Sequence, residues 1–451
     1  MKTEIFKKFD WILFIDVLFI TFIGLFFIFS AQLRSGNPMF YVAKQSTAFG
    51  VGVIAMLLII SVRYGLYSQY TNHLYLFALI LLIAVLLFGS RIRGSKSWFD
   101  LGKFAFQPSE IAKIVFIIYL AKFIEKNHHQ IKKISKLFTA FIIMSVYVGL
   151  ILLEPDFSSA SVFIPIFLGM MFIGGIPKKI INFVVLFFLV TMCLPLLETY
   201  LEINNSTTYL QNEILLSQKD MWLNCFFKDA FLLKNFKIIY VCTVFSLTIF
   251  SWFFIKFLRF KITFKDYKVV ILVILFGLLT AISISGCLKD YQRKRMIVFL
   301  NPLSDPLGSG YNILQSRIAI GSGQLSGRGF FQGTQTQLGF IPDQHTDYIF
   351  AVISEEGGFV FSFIVILLYI VLIARGISIA MNATDRFGSL IAVGIVIMFS
   401  YYIILNLGML TGIMPVAGVP LPFLSYGGSA LIVNMIAVGF LMNIHIRKYA
   451  H

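Results

Sequence analysis

Apolar runs of roughly membrane-spanning length recur along the whole chain, and nothing constrains its folding more. A helix needs roughly 20 apolar residues to cross a hydrocarbon core of about 30 Å. Runs near that length fall at 11–31, 46–62, 73–89, 110–125, 137–153, 158–176, 180–197, 238–258, 269–286, 349–374, 388–411 and 428–445. They predict an all-α polytopic membrane protein with about 12 transmembrane helices. Composition supports this: 58% of the 451 residues are hydrophobic and only 13% charged, against about 25% charged in soluble domains. No Pro/Ser-rich linker or low-complexity stretch divides the chain.

An even number of spans places both termini on one side. Lys2, Lys7 and Lys8 at one end and Arg447 and Lys448 at the other make that side cytoplasmic under the positive-inside bias. The alternate loops agree: Lys126, Lys132, Lys133 and Lys136; Lys178 and Lys179; Lys256, Arg259, Lys261, Lys265 and Lys268. The net charge of +16 therefore reflects topology. It does not signal nucleic acid, because the cations form no arm, stripe or known motif. Met1 to Asp10 is basic and the apolar run behind it is long enough to span, so no cleavable signal peptide is expected. Cys193 and Cys242 sit in apolar spans, Cys225 and Cys287 in segments where a pair is chemically allowed, and none has metal or redox spacing.

On the opposite side runs a segment of 287–348, rich in Gly, Gln and Ser. Loops this long are usually functional or disordered, and aromatic and aliphatic residues throughout it favour an ordered one. It opens on Asp290-Tyr291-Gln292-Arg293-Lys294-Arg295, cations that face either lipid headgroups or a diphosphate. Its glycines at Gly308, Gly310, Gly321 and Gly323 lack the preceding strand and Gly-Lys-Ser/Thr ending of a nucleotide loop. It ends on Asp343-Gln344-His345-Thr346-Asp347, directly before an apolar run. Asp347 has two readings there: a charge favoured by a helix N-terminus, or a general base in a partly desolvated cleft.

Glu110, Lys113, Glu154, Asp156, Glu355 and Glu356 lie within or at the ends of spans, where ionisable groups normally face a partner or polar cavity. Gln107-Pro108-Ser109-Glu110 reads as a helix start with Ser109 as cap. Glu110 and Lys113 share a helix face and are expected to pair. Three prolines and three glycines in 415–429 rule out a continuous helix and predict a re-entrant element.

These motifs together resemble the SEDS family, which includes RodA, FtsW and SpoVE. The match rests on Gln107-Pro108-Ser109-Glu110 with Lys113, Glu154-Pro155-Asp156, the segment from Asp290 to Asp347, and 415–429. Asn406-Leu407-Gly408-Met409-Leu410-Thr411-Gly412 and Val419-Pro420-Leu421-Pro422-Phe423 look most like the RodA branch. The resemblance implies a single transmembrane domain over 1–451 in the bacterial cytoplasmic (inner) membrane, with 287–348 as a large extracytoplasmic catalytic loop. It implies a peptidoglycan glycosyltransferase that polymerises lipid II into a nascent glycan strand during rod-shape maintenance. Its partners would be a class B penicillin-binding protein and the elongation (rod) complex. Asp347 would be catalytic, and a divalent cation (Mg or Mn), of unassigned ligands, would support activity. Substrate would be met by Lys96, Trp98, Glu110, Lys113, Arg293, Lys294, Arg295, Arg317, Gln335, His345 and Ser425.

The chain departs from the family pattern at Gly94-Ser95-Lys96-Ser97-Trp98, where Arg usually precedes Trp, and at Gly339, where many members carry Glu. The family norm is ten spans, so 198–268 is expected to be an inserted hairpin. Three other readings are a lipid II flippase, an FtsW-like division polymerase and a scaffold that only recruits a transpeptidase. Against a transporter, the chain shows no inverted repeat. The topology predicts that a cysteine replacing Ser322, in a chain lacking Cys225 and Cys287, reacts with an impermeant thiol reagent in intact spheroplasts. Protection until the membrane is permeabilised would reverse the orientation.

Overall fold

The computed structural model describes residues 8–35, 37–92, 95–100, 102, 105–211, 264–287, 296–304, 310–416 and 418–448. The run expected at 238–258, with Cys225 and Cys242, lies outside them. Every other apolar run falls on helix. They are α1 (Trp11–Ala31), α2 (Pro38–Ser61), α3 (Tyr64–Gln69), α4 (Thr71–Phe88), α5 (Pro108–Lys126), α6 (Ile134–Leu153), α7 (Phe157–Ser161) and α8 (Phe163–Ile173). Then follow α9 (Lys178–Gln211), α10 (Phe264–Cys287), α11 (Tyr311–Ser322), α12 (Thr334–Gln337), α13 (Ile349–Met381), α14 (Arg386–Thr411) and α15 (Gly428–Arg447).

Among the described residues, eight helices are long and apolar enough to cross a membrane: α1, α2, α4, α6, α9, α13, α14 and α15. The difference from twelve has local causes. Helix α5 carries Glu110, Lys113, Lys122, Glu125 and Lys126. The run 158–176 is divided between α7 and α8, and the apolar part of α10, Val269–Ile282, is short. Helix α9 also runs past Pro195 to Gln211, beyond the expected end at 197.

The chain forms two compact units, 177–311 and the remainder. In the first, α9 and α10 pack through Ile274, Leu278 and Ala281 against Leu186 and Val190. Thr191 and Thr280 share a hydroxyl–hydroxyl hydrogen bond of 3.1 Å there. This unit extends beyond the 198–268 segment on both sides.

In the larger unit, α15 lies along α2, α13 lies against both α1 and α14, and α14 also packs on α5 and α8. A small antiparallel sheet, β1 (Ser90–Ile92), β2 (Ser95–Asp100) and β3 (Ala105–Phe106), fills the α4–α5 connection. The sequence did not reveal it, because strands of two to six residues leave no readable alternation. Helix ends are tied by charge: Asp10 caps α1 through Leu13 N–H at 3.1 Å and accepts from Arg375 Nη2 at 2.7 Å.

Helix α13 is broken at Gly358, whose φ of 68° and ψ of −166° no helix contains. A break frees carbonyls and N–H groups that hydrocarbon cannot satisfy. The loop after α11 supplies the partners. Arg328 and Gly329 N–H donate to the Glu355 and Glu356 carbonyls at 3.0 and 3.1 Å, while Phe359 and Val360 N–H donate to Gln324 and Leu325 carbonyls at 2.8 and 3.2 Å. The approach is so close that a Cβ on Gly323 would lie 1.9 Å from the Ser354 carbonyl oxygen.

The Glu355 side chain, 0% exposed, organises the next turn. Its carboxylate accepts from Gln335 and Thr336 N–H at 2.7 and 3.0 Å, and from the hydroxyls of Thr336 and Thr334 at 2.7 and 3.3 Å. Glu355→Gln sets an amide NH₂ against those donors. Each buried donor left unpaired costs about 1–3 kcal/mol, so thermal unfolding of the purified variant should begin several degrees below wild type. An unchanged Tm would show that the turn does not depend on this carboxylate.

Candidate functional site

One end of the larger unit holds a cavity of about 390 Å³, and the elements already described converge on it. From the sheet come Ser95, Ser97 and Trp98; from α2, Lys44; from α5, Glu110, with Gln107 just before it; from the start of α7, Asp156, Ser158 and Ser159. His345, Thr346 and Asp347 enter ahead of α13, Tyr402 from α14, Gly418, Val419, Pro420, Tyr426 and Gly427 from the irregular stretch before α15, and Gly428 and Ala430 from its first turn.

The cap expected at Ser109 is not made. Pro108 takes the first helical position, so Gln107 is the N-cap and Ser109 is already inside the helix. Its hydroxyl is buried without a partner among the described residues. Gln107 instead donates to Asp156 Oδ2 at 2.7 Å. Asp156 caps α7 through Ser159 N–H at 3.0 Å and takes the Ser159 hydroxyl at 2.7 Å. It thereby crosslinks the starts of α5 and α7. Next to it, Glu154 is 0% exposed, and burial, with the Asp156 charge second, pushes its carboxyl up to about 8.

Glu110 and Lys113 form the expected ion pair at 2.6 Å, with Lys113 only 1% exposed. The Lys113 ammonium also donates to the Tyr402 hydroxyl. Such a pair recovers its desolvation cost only with good geometry and further hydrogen bonds, and Tyr402 supplies one.

The stretch 415–427 is irregular, as its prolines required, and side chains satisfy its backbone. Asn406 Nδ2 donates to the carbonyls of both Asp347 and Val419, at 2.9 and 2.6 Å. Ser425 Oγ donates to the Thr346 carbonyl at 2.6 Å and accepts from Leu421 N–H at 2.9 Å. Gln45 spans the Ser425 carbonyl and the Gly427 N–H, both at 3.1 Å, and Tyr369 donates to the Pro422 carbonyl at 2.8 Å. These bonds fix Asp347 beside Gly418, whose φ is +63° and where a Cβ would stand 3.3 Å from Asp347 Oδ2. Asp347 is not a helix cap, because Tyr348 occupies the N-cap position.

Of the residues named from sequence, Trp98, Glu110, His345 and Asp347 line the cavity. Lys113 stands behind Glu110, and Ser425 holds the loop from outside the lining. His345 packs against Tyr41 and Tyr426, with ring centroids 5.4 Å away in each case. Lys96, Arg317 and Gln335 are not in the lining. The Lys96 ammonium caps the Leu87 carbonyl at 2.9 Å, exposed Arg317 lies against Gly412, and the Gln335 main chain serves Glu355. Arg293, Lys294 and Arg295 lie outside the described residues.

Sequence reasoning passed over Lys44, Gln45, Tyr402 and Tyr426. An apolar run counted from residue 46 leaves out Lys44 and Gln45, although the helix begins at Pro38. A basic–polar pair one and a half turns into an apolar helix was the available signal. Among the described residues, Lys44 is the only Lys or Arg in the lining.

With this geometry in hand, comparison with known proteins places the chain. The FtsW/RodA/SpoVE family, described as "Cell cycle protein", matches residues 10–215 and 241–450. The chain belongs to this family. It is 36% identical to the peptidoglycan glycosyltransferase RodA of Treponema pallidum (strain Nichols), over 98% of each chain. It is 32% identical to the peptidoglycan glycosyltransferase MrdB of Escherichia coli (strain K12), over 92% of this chain and 88% of that one. Among solved structures, a chain from a peptidoglycan synthase complex that coordinates polymerization and crosslinking matches at a TM-score of 0.67 and 25% identity. That match covers 98% of this chain and 99% of the other.

The Glu154 carboxyl gives a test of the site's electrostatics. Its folded value of about 8 lies above the ordinary 4.5, so folding favours the protonated form. The stabilisation is full below about pH 4.5 and is lost as pH rises toward about 8. Wild-type Tm should therefore fall relative to Glu154→Gln as pH rises through that window. Parallel curves would mean that Glu154 is ionised in the fold.

Proposed function

We propose that this chain is a peptidoglycan glycosyltransferase that polymerises lipid II into glycan strands at the outer face of the cytoplasmic membrane. The observation that carries the reading is the cavity, where Asp347 meets Trp98, Glu110 and His345 in a chain of this family. The names of the relatives support the same reaction class. In this reading both termini are cytoplasmic, and the 287–348 segment, ending on Asp347, faces outward as the catalytic loop.

Asp347 acts as the general base. Its carboxylate takes the proton of the 4-hydroxyl on the acceptor sugar, and that oxygen forms a bond to the anomeric carbon of the growing strand. The anomeric C–O bond to the diphosphate breaks, the electron pair leaves with undecaprenyl diphosphate, and configuration inverts. Lys44, which lines the cavity, meets the departing charge, the kind of electrostatic help that is often the largest catalytic contribution. The divalent cation expected from the family has no ready cage here. Among the described residues no three His, Cys, Asp or Glu side chains come together, so no step is assigned to a metal.

The relative solved within a peptidoglycan synthase complex supports a crosslinking partner, and we take that partner to be a class B penicillin-binding protein of the elongation complex. The test is polymer formation from labelled lipid II by purified protein in detergent, where transport across a bilayer has no meaning. General base catalysis contributes about 10²–10⁴-fold, so Asp347→Asn should abolish detectable polymer while leaving insertion and folding intact. Asp343→Asn, outside the cavity lining, should retain much of the rate. Polymer from Asp347→Asn at near wild-type speed would reduce Asp347 to a structural charge.

A further inference from the structure

The glycosyltransferase reading leaves one cavity group without a task. Tyr402 is 6% exposed and lines the same cavity as Asp347. Its hydroxyl oxygen takes a hydrogen bond from the Lys113 ammonium. That ammonium is paired with Glu110 at 2.6 Å and carries three N–H donors but no lone pair. In this bond Tyr402 is therefore the acceptor, and its own proton must go elsewhere. Among the described residues no acceptor for that proton is recorded, although buried polar hydrogens are nearly always paired. The side chain borders open volume at the cavity, so that volume is where the acceptor belongs.

Lys113 also sets the strength of the donor. A cation bonded to a phenol oxygen withdraws electron density and makes the remaining O–H a better donor. Such a group suits an oxygen that already carries or is gaining negative charge. A donor on the attacking hydroxyl would oppose its activation by Asp347. A donor on the sugar–diphosphate side would assist the bond that breaks.

The geometry points to Tyr402 as a substrate-touching hydrogen-bond donor, held by Lys113 and directed at an oxygen of the glycosyl diphosphate. This rests on the glycosyltransferase reading and adds a residue to it. Glu110 and Lys113 then act as positioning residues: the carboxylate holds the ammonium, and the ammonium orients the phenol.

The experiment must separate donation from merely giving Lys113 an acceptor. Tyr402→Phe removes both. Tyr402→O-methyltyrosine keeps the oxygen for Lys113 but has no proton to give. Tyr402→p-aminophenylalanine keeps an acceptor and restores a donor. Full-length protein carrying each change is purified, checked by size exclusion and Tm, and assayed for kcat/KM with labelled lipid II beside wild type and Asp347→Asn. The Phe and O-methyl variants should lose roughly tenfold to a hundredfold, the size of one hydrogen bond to a charged ligand group. The p-amino variant should recover a substantial part. If Tyr402→Phe does not fold, the other two still decide, since both leave Lys113 an acceptor.

Near wild-type turnover by the O-methyl or the Phe variant would show that Tyr402 donates nothing to substrate. Equal loss in all three would do the same. No polymer from wild type would sink the glycosyltransferase reading and this inference together, whereas an active wild type with an undiminished Tyr402→Phe would sink the inference alone.

Discussion

In hydrocarbon, an amide or carbonyl without a partner costs several kcal/mol, and the site depends on two places where this chain abandons the helix. At Gly358 the freed groups of α13 are met by the main chain of 324–329. At 415–427 they are met by the side chains of Asn406, Ser425, Gln45 and Tyr369. The two solutions have different consequences. Main chain against main chain locks the loop after α11 to the bundle. Side chains on main chain leave the backbone shape free to be set by proline and glycine, and that shape forms one wall of the cavity.

Charge is handled by the same economy. Lys113, almost wholly buried, would be prohibitive alone; Glu110 neutralises it and Tyr402 takes a second N–H. Asp156 fills its oxygens with Gln107 and Ser159, and Glu355 fills its own with the 334–336 turn. Three acidic groups near the same end of the bundle thus have structural assignments that the residue types alone did not distinguish. A buried ion pair is weak evidence for stability, since an apolar replacement is often neutral or better. Its retention at a cavity wall is easier to understand if it holds another group in place.

What the sequence made legible follows from this. Long apolar runs located the helices, because burial in lipid is written in composition over some twenty residues. The Glu110–Lys113 pair was legible because a spacing of three fixes a shared face, and the break at 415–429 because proline cannot continue a helix. The interruption at Gly358 was not, since the pair Gly357-Gly358 carries no mark of the φ that either glycine adopts. Nor was the loss of Ser109 as a cap, which turned on whether Pro108 stood inside or outside the first turn. Lys96 and Arg317 stand out in the sequence by charge and local pattern. Where their heads point is decided by the Leu87 carbonyl and by the chain around Gly412, over distances that spacing does not encode. Tyr402 lies in a run of aromatic and aliphatic residues, and nothing in that run marks the Lys113 ammonium beside its hydroxyl.

An aspartate at the N-cap of α13 would turn its carboxylate toward the first N–H groups of the helix. The chain places Tyr348 at the cap instead. Two bonds to main-chain carbonyls hold this stretch: Asn406 donates to that of Asp347, and Ser425 to that of Thr346. Asn406 reaches the Val419 carbonyl with the same amide, so the backbone that carries the carboxylate and the loop that faces it move as one. Gly418, which has no side chain to intrude, keeps the approach to Asp347 Oδ2 open. One amide thus ties the segment that enters α13 to the irregular stretch before α15, and this brings Asp347 and Gly418 to the same cavity.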